Sequence, residues 1–205
     1  MAVCKRVTAP SGVHAAMTGH RVFGMAAALA MSLIVVPVGP HGTALAQKAM
    51  VQDCGMAVEQ TWLGDLVASA IATGDCGLAT LDLVVHNGVD EVVWSASYGS
   101  ADLLGFDDIL EPDAMRFAME DWLGFYADNT RSGTLPEWPH GMDQPDAGEF
   151  PFYVEEGLSQ RDYQELRASD YPMVCYIQGR ESTLCLVQHP GVSALISVGA
   201  QSFPG

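Results

Sequence analysis

Five side chains suited to binding chemistry lie close together in the segment EWPHGMD: Glu137, Trp138, His140, Met142 and Asp143. Histidine, methionine and carboxylates can together hold a soft or borderline metal ion. An exposed tryptophan beside polar groups can anchor a protein partner. A single histidine gives few ligands for firm metal binding, so of these two roles a protein partner is favoured over a metal ion. The alternative is an ordinary surface loop.

This segment belongs to a stretch, residues 129–151, that contains no periodic apolar pattern. Glycine and proline interrupt it repeatedly, and both residues favour turns over helices and strands. A loop of this length inside a compact domain is either functional or mobile. The glycines and prolines concerned are Gly133, Pro136, Pro139, Gly141, Pro145, Gly148 and Pro151.

The N-terminal residues 1–46 have the pattern of a cleaved secretory signal peptide. Lys5, Arg6 and Arg21 precede an apolar run over 22–36, and Ala44 and Ala46 are the small residues of a cleavage site. A membrane anchor is the alternative, but a spanning helix needs about 20 apolar residues. We therefore expect a periplasmic or secreted protein that does not insert into a membrane after cleavage. Translation starts at Met1 or Met17.

The segment left after cleavage, residues 47–205, is strongly acidic. It keeps six of the nine Lys and Arg residues and all 25 Asp and Glu residues, a formal charge of −19. Such a surface repels nucleic acid and attracts basic proteins or cations. Simple solubility, or adaptation to a salty medium, is the alternative explanation.

Four cysteines remain after cleavage: Cys54, Cys76, Cys175 and Cys185. An even number in an exported chain predicts two disulfides. Cys175 and Cys185 lie opposite each other if a three-residue loop, 179–181, joins their strands. Cys54 and Cys76 can pair only if the helix predicted between them breaks, as at Gly64, because bridged Cα atoms lie about 5.5 Å apart. Sequential pairing is favoured over pairing each end of this helix with a C-terminal cysteine.

The first half of this acidic segment predicts a helix, a hairpin and a second helix. Apolar residues at helical spacing indicate a helix over 56–73. Strands over 78–85 and 91–98 flank Asn87-Gly88, a pair typical of a two-residue hairpin turn. That turn places Leu83 opposite Val92 and Leu81 opposite Trp94. Pro112 begins the second helix, 112–128.

The second half predicts one short helix and three strands. Ser159 caps a helix over 160–168, and strands follow over 173–178, 183–188 and 192–198. The resulting order is αββααβββ. It predicts one α+β domain over 47–205, with an antiparallel sheet of about five strands and two or three helices on one face. Disulfides cross-link this domain.

The acidic residues do not follow the spacing of a known calcium loop. Many of these acidic residues lie in three clusters, which begin at Asp102, Asp143 and Glu155. The chain also lacks the HExxH, GxSxG, P-loop and GxGxxG motifs that would specify a reaction. An enzyme is therefore less favoured than a binding protein, and no cofactor is expected.

The stretch GLATLDLVV…VVWSASYGSADLLGFDD resembles a periplasmic bacterial family linked to zinc uptake, which has a strand pair followed by a similar turn. The histidine-rich segments of that family are missing here. A zinc role is therefore not carried over from that family to this chain.

These observations favour an exported acidic interaction protein, an inhibitor or envelope accessory factor for a basic protein. The alternatives are a small periplasmic hydrolase and a protein that binds calcium or a soft metal.

Overall fold

The N-terminal part of the described chain forms a β-hairpin. In the computed structural model, which describes residues 52–203, strands β1 (Met56–Trp62) and β2 (Leu66–Thr73) pair antiparallel. The helix predicted over 56–73 is therefore wrong. The chain reverses at Leu63 and Gly64, which both have positive φ, 49° and 93°. Asn129 Oδ1 accepts a hydrogen bond from the Leu63 N–H at 2.9 Å, which holds the unusual Leu63 conformation.

The helix prediction failed because the apolar residues of β2 fit two periods at once. Every second residue of the strand, from Leu66 through Ala68 and Ala70 to Ala72, is buried. Period two is the strand pattern, but the intervening Val67 and Ile71 also complete a helical stripe. The predicted signal peptide over 1–46 lies outside the described residues.

Strands β3 (Thr80–His86) and β4 (Val92–Gly99) complete a first sheet, sheet 1, in the order β1-β2-β3-β4. The predicted hairpin is confirmed, but its register is wrong. Leu83 lies opposite Ala96, and the register shifts between Val85 and His86. The Asn87 side chain causes this difference, because its Oδ1 accepts from the N–H groups of Val89 and Glu91 and so organises a wider loop.

Helix α1 (Pro112–Leu123) begins at Pro112 as predicted and ends before Gly124. The predicted helix continued to 128, but residues 127–131 form a strand instead. Helix α2 (Gln160–Ser169) is confirmed with Ser159 as its N-cap, whose side chain accepts from the Asp162 N–H.

A second sheet, sheet 2, contains five strands in the order β5-β7-β8-β9-β6. Its edge strands β5 and β6 were missed from the sequence, because β5 was divided between the predicted helix 112–128 and the predicted loop 129–151, and β6 is short. The five strands are β5 (Ala127–Arg131), β6 (Phe152–Val154), β7 (Pro172–Ile177), β8 (Ser182–Val187) and β9 (Ile196–Ser202).

The fold is α+β with antiparallel sheets, but the single sheet and the order αββααβββ are wrong. The observed order is ββββαββαβββ in two sheets. The helices also do not share one face, because α1 and α2 contribute to different cores.

Both predicted disulfides are present, with sequential pairing. Cys54–Cys76 joins the chain just before β1 to the turn after β2, since the reversal at Gly64 brings the two ends together. Cys175 lies directly opposite Cys185 in neighbouring strands. The Gln178 N–H donates to the Ser182 carbonyl, which leaves the expected three-residue loop 179–181.

The two faces of sheet 2 bury different residues. Val174, Tyr176 and Leu186 belong to core 1, which also contains α1 and the inner face of sheet 1. Met173 and Val187 belong to core 2, with α2 and the base of the long loop. Alternation along each strand sends neighbouring side chains to opposite faces, so sheet 2 is a layer between the two cores.

Tyr176 is the polar centre of core 1. Its hydroxyl lies 2.8 Å from the Tyr98 hydroxyl and accepts from Trp94 Nε1 at 3.2 Å. Its ring is 5.6 Å from Trp62 and 6.4 Å from Trp122. These contacts join β7 of sheet 2 to β4 and β1 of sheet 1.

Replacing Tyr176 by Phe is expected to lower the free energy of unfolding by about 1–2 kcal/mol, because Trp94 Nε1 and the Tyr98 hydroxyl lose a partner in a partly buried site. Urea denaturation measures the change. Tyr153→Phe is the matched control, since Tyr153 is 53% exposed and should change stability by less than about 0.5 kcal/mol. Equal effects in the two variants would contradict the role of the network.

Alkaline pH is expected to destabilise the protein from about pH 10. Burial raises the pKa of Tyr98, Tyr163 and Tyr176, so these phenols stay protonated in the folded state after they ionise in the unfolded chain. Their stabilising effect is complete below the unfolded pKa and is lost as pH rises through the folded values. Phenolate absorbance should show these three tyrosines ionising at higher pH in the native protein than in the unfolded chain. Six tyrosines that all titrate near pH 10 in the native protein would refute this.

Candidate functional site

The predicted loop 129–151 is shorter in the structure, because β5 includes its first three residues. The remaining segment, 132–151, starts at Ser132, which is fully buried. The Ser132 hydroxyl donates to the Leu166 carbonyl at 2.6 Å and accepts from the Tyr171 N–H at 2.8 Å. The base of the loop is therefore fixed to α2 and to the start of β7.

The middle of the loop is closed by a short backbone bridge. The Asp146 N–H donates to the Glu137 carbonyl at 2.8 Å. Across the enclosed residues, Trp138 Nε1 donates to the Met142 carbonyl at 2.8 Å. We call residues 138–145 the loop tip.

Helix α2 braces this tip through its side chains. Gln160 and Gln164 Nε2 donate to the Trp138 carbonyl at 3.2 and 2.6 Å. The Tyr163 hydroxyl donates to the Pro136 carbonyl at 2.8 Å, and its ring meets the Trp138 indole edge to face at 5.5 Å. Half-buried Trp138 therefore supports the tip, whereas the sequence suggested an exposed anchor.

The remaining predicted site residues lie on the surface. His140, Met142 and Asp143 are exposed at the tip, and Glu137 is exposed at the bridge. Within residues 52–203, no three His, Cys, Asp or Glu side chains are grouped closely enough to hold a metal ion. The structure thus brings Trp138 and Met142 together at the tip.

The acidic cluster that begins at Asp102 is divided among separate partners. Arg180 donates to Asp107 and to the Ala101 carbonyl. Arg116 pairs with Asp113 at 3.1 Å, and Gln52 Nε2 donates to Glu111 at 2.7 Å. These carboxylates hold loops and the first turn of α1.

A cavity of about 310 Å³ lies on the face of sheet 2 turned away from core 1. We call it the sheet-2 pocket. The Cys175–Cys185 disulfide and Met173 line it from the central strands. Phe152 of β6 lines it as well, and the loop base contributes Leu135. The predicted loop therefore borders a cavity that the sequence did not reveal.

The turn after α1 supplies an aromatic and acidic rim to this pocket. Phe125 is 81% exposed and Tyr126 is 36% exposed, and their rings meet edge to face at 5.0 Å. Asp128 follows on β5, directly opposite Cys175. It is exposed, and no arginine of the described chain lies within ion-pair distance of it.

The sequence analysis missed this rim because it extended α1 to residue 128. Gly124, directly after the last apolar residue of the helical stripe, is the signal that could have ended the helix there. The position of the disulfide on the pocket face followed from the register of β7 and β8, which the sequence did indicate.

Another group of residues is relevant to the hydrolase alternative. Glu59, Ser69, His86 and Asp90 line a cavity of about 400 Å³ on sheet 1. His86 Nδ1 lies 3.4 Å from Asp90 Oδ1, which is the pairing of a base with its orienting acid. The Ser69 hydroxyl, however, donates to Glu59 at 3.3 Å. A nucleophile needs a hydrogen bond to its base, and Ser69 makes no such bond to His86.

Comparison of the chain with protein-family models, with curated proteins and with solved structures gave no match. The likeness to a zinc-uptake family therefore stays an expectation from the sequence. Among residues 52–203, no helix has the length and apolar character needed to cross a membrane.

Replacing Trp138 by Ala is expected to lower the free energy of unfolding by about 2 kcal/mol, because the Tyr163 ring loses its packing partner in a half-buried site. His140→Ala, at the exposed tip, should change it by less than about 0.5 kcal/mol. Urea denaturation of both variants tests the assignment. If Trp138→Ala is as stable as the wild type, the tryptophan is not a support of the tip.

Proposed function

We propose that this protein acts by binding a basic polypeptide at its acidic surface, as an exported inhibitor or envelope accessory factor. The observation that carries the proposal is the imbalance of charge within residues 52–203. They contain all 25 acidic residues of the sequence and only five arginines. Such an imbalance creates a negative potential that attracts and steers cationic partners.

The arginines are already engaged within the chain. Arg116, Arg131, Arg161 and Arg180 form ion pairs, and Arg167 Nε donates to the Leu135 carbonyl at 2.9 Å. These ion pairs involve five carboxylates, including Glu120. Twenty carboxylates therefore have no arginine partner among the described residues, and a cationic partner can pair with them without displacing an arginine.

The loop 132–151 is the surface that we propose for this contact. It carries Glu137, Asp143, Asp146 and Glu149, all of them exposed. Helix α2 fixes the loop before any partner arrives, so binding requires little ordering of the chain. The loop also borders the sheet-2 pocket through Leu135.

Two disulfides are consistent with a periplasmic or extracellular protein, because disulfides form and persist in oxidising compartments. The alternatives have less support, since the described residues include no group of three His, Cys, Asp or Glu side chains that could hold a metal ion, and since the Ser69 hydroxyl of the sheet-1 cavity donates to Glu59 and not to His86. Their tests are calcium addition and ester hydrolysis.

The proposal is tested by capture from the native envelope extract at low salt, followed by purification of the captured protein and titration at 0.15 M salt. We expect a basic protein that binds one to one, with an affinity that falls as salt rises. Neutralising Asp143→Asn and Glu149→Gln together should weaken binding by about fivefold.

The matched control is Asp90→Asn with Glu91→Gln, which removes the same charge at the β3–β4 hairpin and should weaken binding by less than about twofold. Equal losses in both double variants would mean that the loop is not the contact surface. If no basic protein binds the wild type at 0.15 M salt, the proposed function is wrong.

A further inference from the structure

We infer that the sheet-2 pocket holds one arginine side chain of the basic partner. This inference rests on the proposed function and identifies the chemistry of its anchoring contact. A pocket that fixes one side chain can contribute much of the energy of an interface, since a few anchoring residues dominate binding.

The size of the cavity suits a side chain. Pockets for drug-sized ligands and cofactors span about 300–1,000 Å³, and the sheet-2 pocket, at about 310 Å³, is at the lower end. It is open to solvent at the rim formed by Phe125 and Asp128, so a side chain carried on a protein surface can enter it.

The floor of the pocket matches the aliphatic part of an arginine. The Cys175–Cys185 disulfide and Met173 present sulfur and methylene groups to the cavity, and these are apolar and polarizable. Arginine side chains commonly lay their methylene stem on such surfaces while the charged end stays near water.

The rim matches the charged end. Asp128 lies in the same cross-strand row as the disulfide, so its carboxylate is on the pocket face. Phe125 and Tyr126 stand beside it, and aromatic rings attract a guanidinium through their faces. A planar guanidinium can stack on a ring and donate two hydrogen bonds to one carboxylate, which a lysine ammonium cannot do.

The arginine of this chain that lies closest to Asp128 in sequence does not fill this role. Arg131 is three positions further along β5, and alternation places it on the opposite face of the strand. It pairs with Asp170 at 2.6 Å. The carboxylate of Asp128 is therefore available to a guanidinium from outside.

The exposure of Phe125 supports the same conclusion. Phe125 is the most exposed aromatic side chain that lines the pocket, with 81% of its surface accessible. It lies just after the C-terminal end of α1. Exposed aromatic rings at the edge of a cavity are typical of binding surfaces.

The first measurement is an NMR titration of the oxidised, ¹⁵N-labelled protein with methylguanidinium chloride. We expect saturable shifts at the amides of Thr130, Cys175 and Thr183, and weaker shifts with methylammonium chloride. Amide shifts scattered around other carboxylates, or shifts of equal size for the two cations, would overturn the inference that the sheet-2 pocket binds an arginine side chain.

The second measurement is calorimetric titration with hexa-arginine at 0.15 M salt. Asp128→Asn should weaken binding by about fivefold, and Phe125→Ala by about threefold. Both residues are exposed, so both variants should fold. The control Asp90→Asn removes one charge that is also exposed and should weaken binding by less than about twofold.

The outcomes separate the pocket from the proposed function. Equal effects of Asp128→Asn and Asp90→Asn, with hexa-arginine still bound, would overturn the pocket and leave the proposed function intact. Saturation by methylguanidinium without binding of any basic protein from the envelope would support the pocket and overturn the proposed function.

Discussion

The structure depends on one buried polar contact, the hydroxyl of Tyr176 between Trp94 and Tyr98. Tyr176 belongs to sheet 2, and both of its partners belong to sheet 1. A buried hydroxyl without a partner costs about 1–3 kcal/mol, so this network favours the packing in which Tyr176 of sheet 2 meets Trp94 and Tyr98 of sheet 1. Trp62 and Trp122 extend the constraint, because their indole N–H groups donate to the Leu123 and Ile177 carbonyls.

This packing determines which face of sheet 2 remains accessible. Because Val174 and Tyr176 are buried in core 1, alternation directs Met173 and Cys175 to the other face. Helix α2 and the loop base cover only part of that face, and the sheet-2 pocket is the part that they leave open. Gly199 lies on the same sheet beneath Phe152, and a Cβ there would approach the Tyr153 carbonyl oxygen to 2.4 Å. Glycine is therefore required for Phe152 to form one wall of the pocket.

Charge and rigidity act together in the proposed function. In that proposal, the twenty carboxylates that have no arginine partner within residues 52–203 attract cationic partners over long range, but this attraction does not select among them. Selection requires a fixed shape, and the hydrogen bonds from Gln160, Gln164 and Tyr163 fix the loop tip in the free protein. The same contacts with α2 make Trp138 a structural residue. The exposed Phe125 is therefore better placed than Trp138 to contact a partner.

The sequence alone determined the features that depend on local chemistry. Composition determined the acidic charge, Pro112 and Ser159 marked the starts of the helices, and the spacing of Cys175 and Cys185 favoured their pairing. The tertiary structure decided what local patterns leave open. The apolar residues around Gly64 fit a helix and a hairpin equally well, and packing on core 1 selected the hairpin. The pocket also required the tertiary structure, because Phe125 and Asp128 are distant in sequence from the Cys175–Cys185 disulfide and meet it only when β5 pairs with β7.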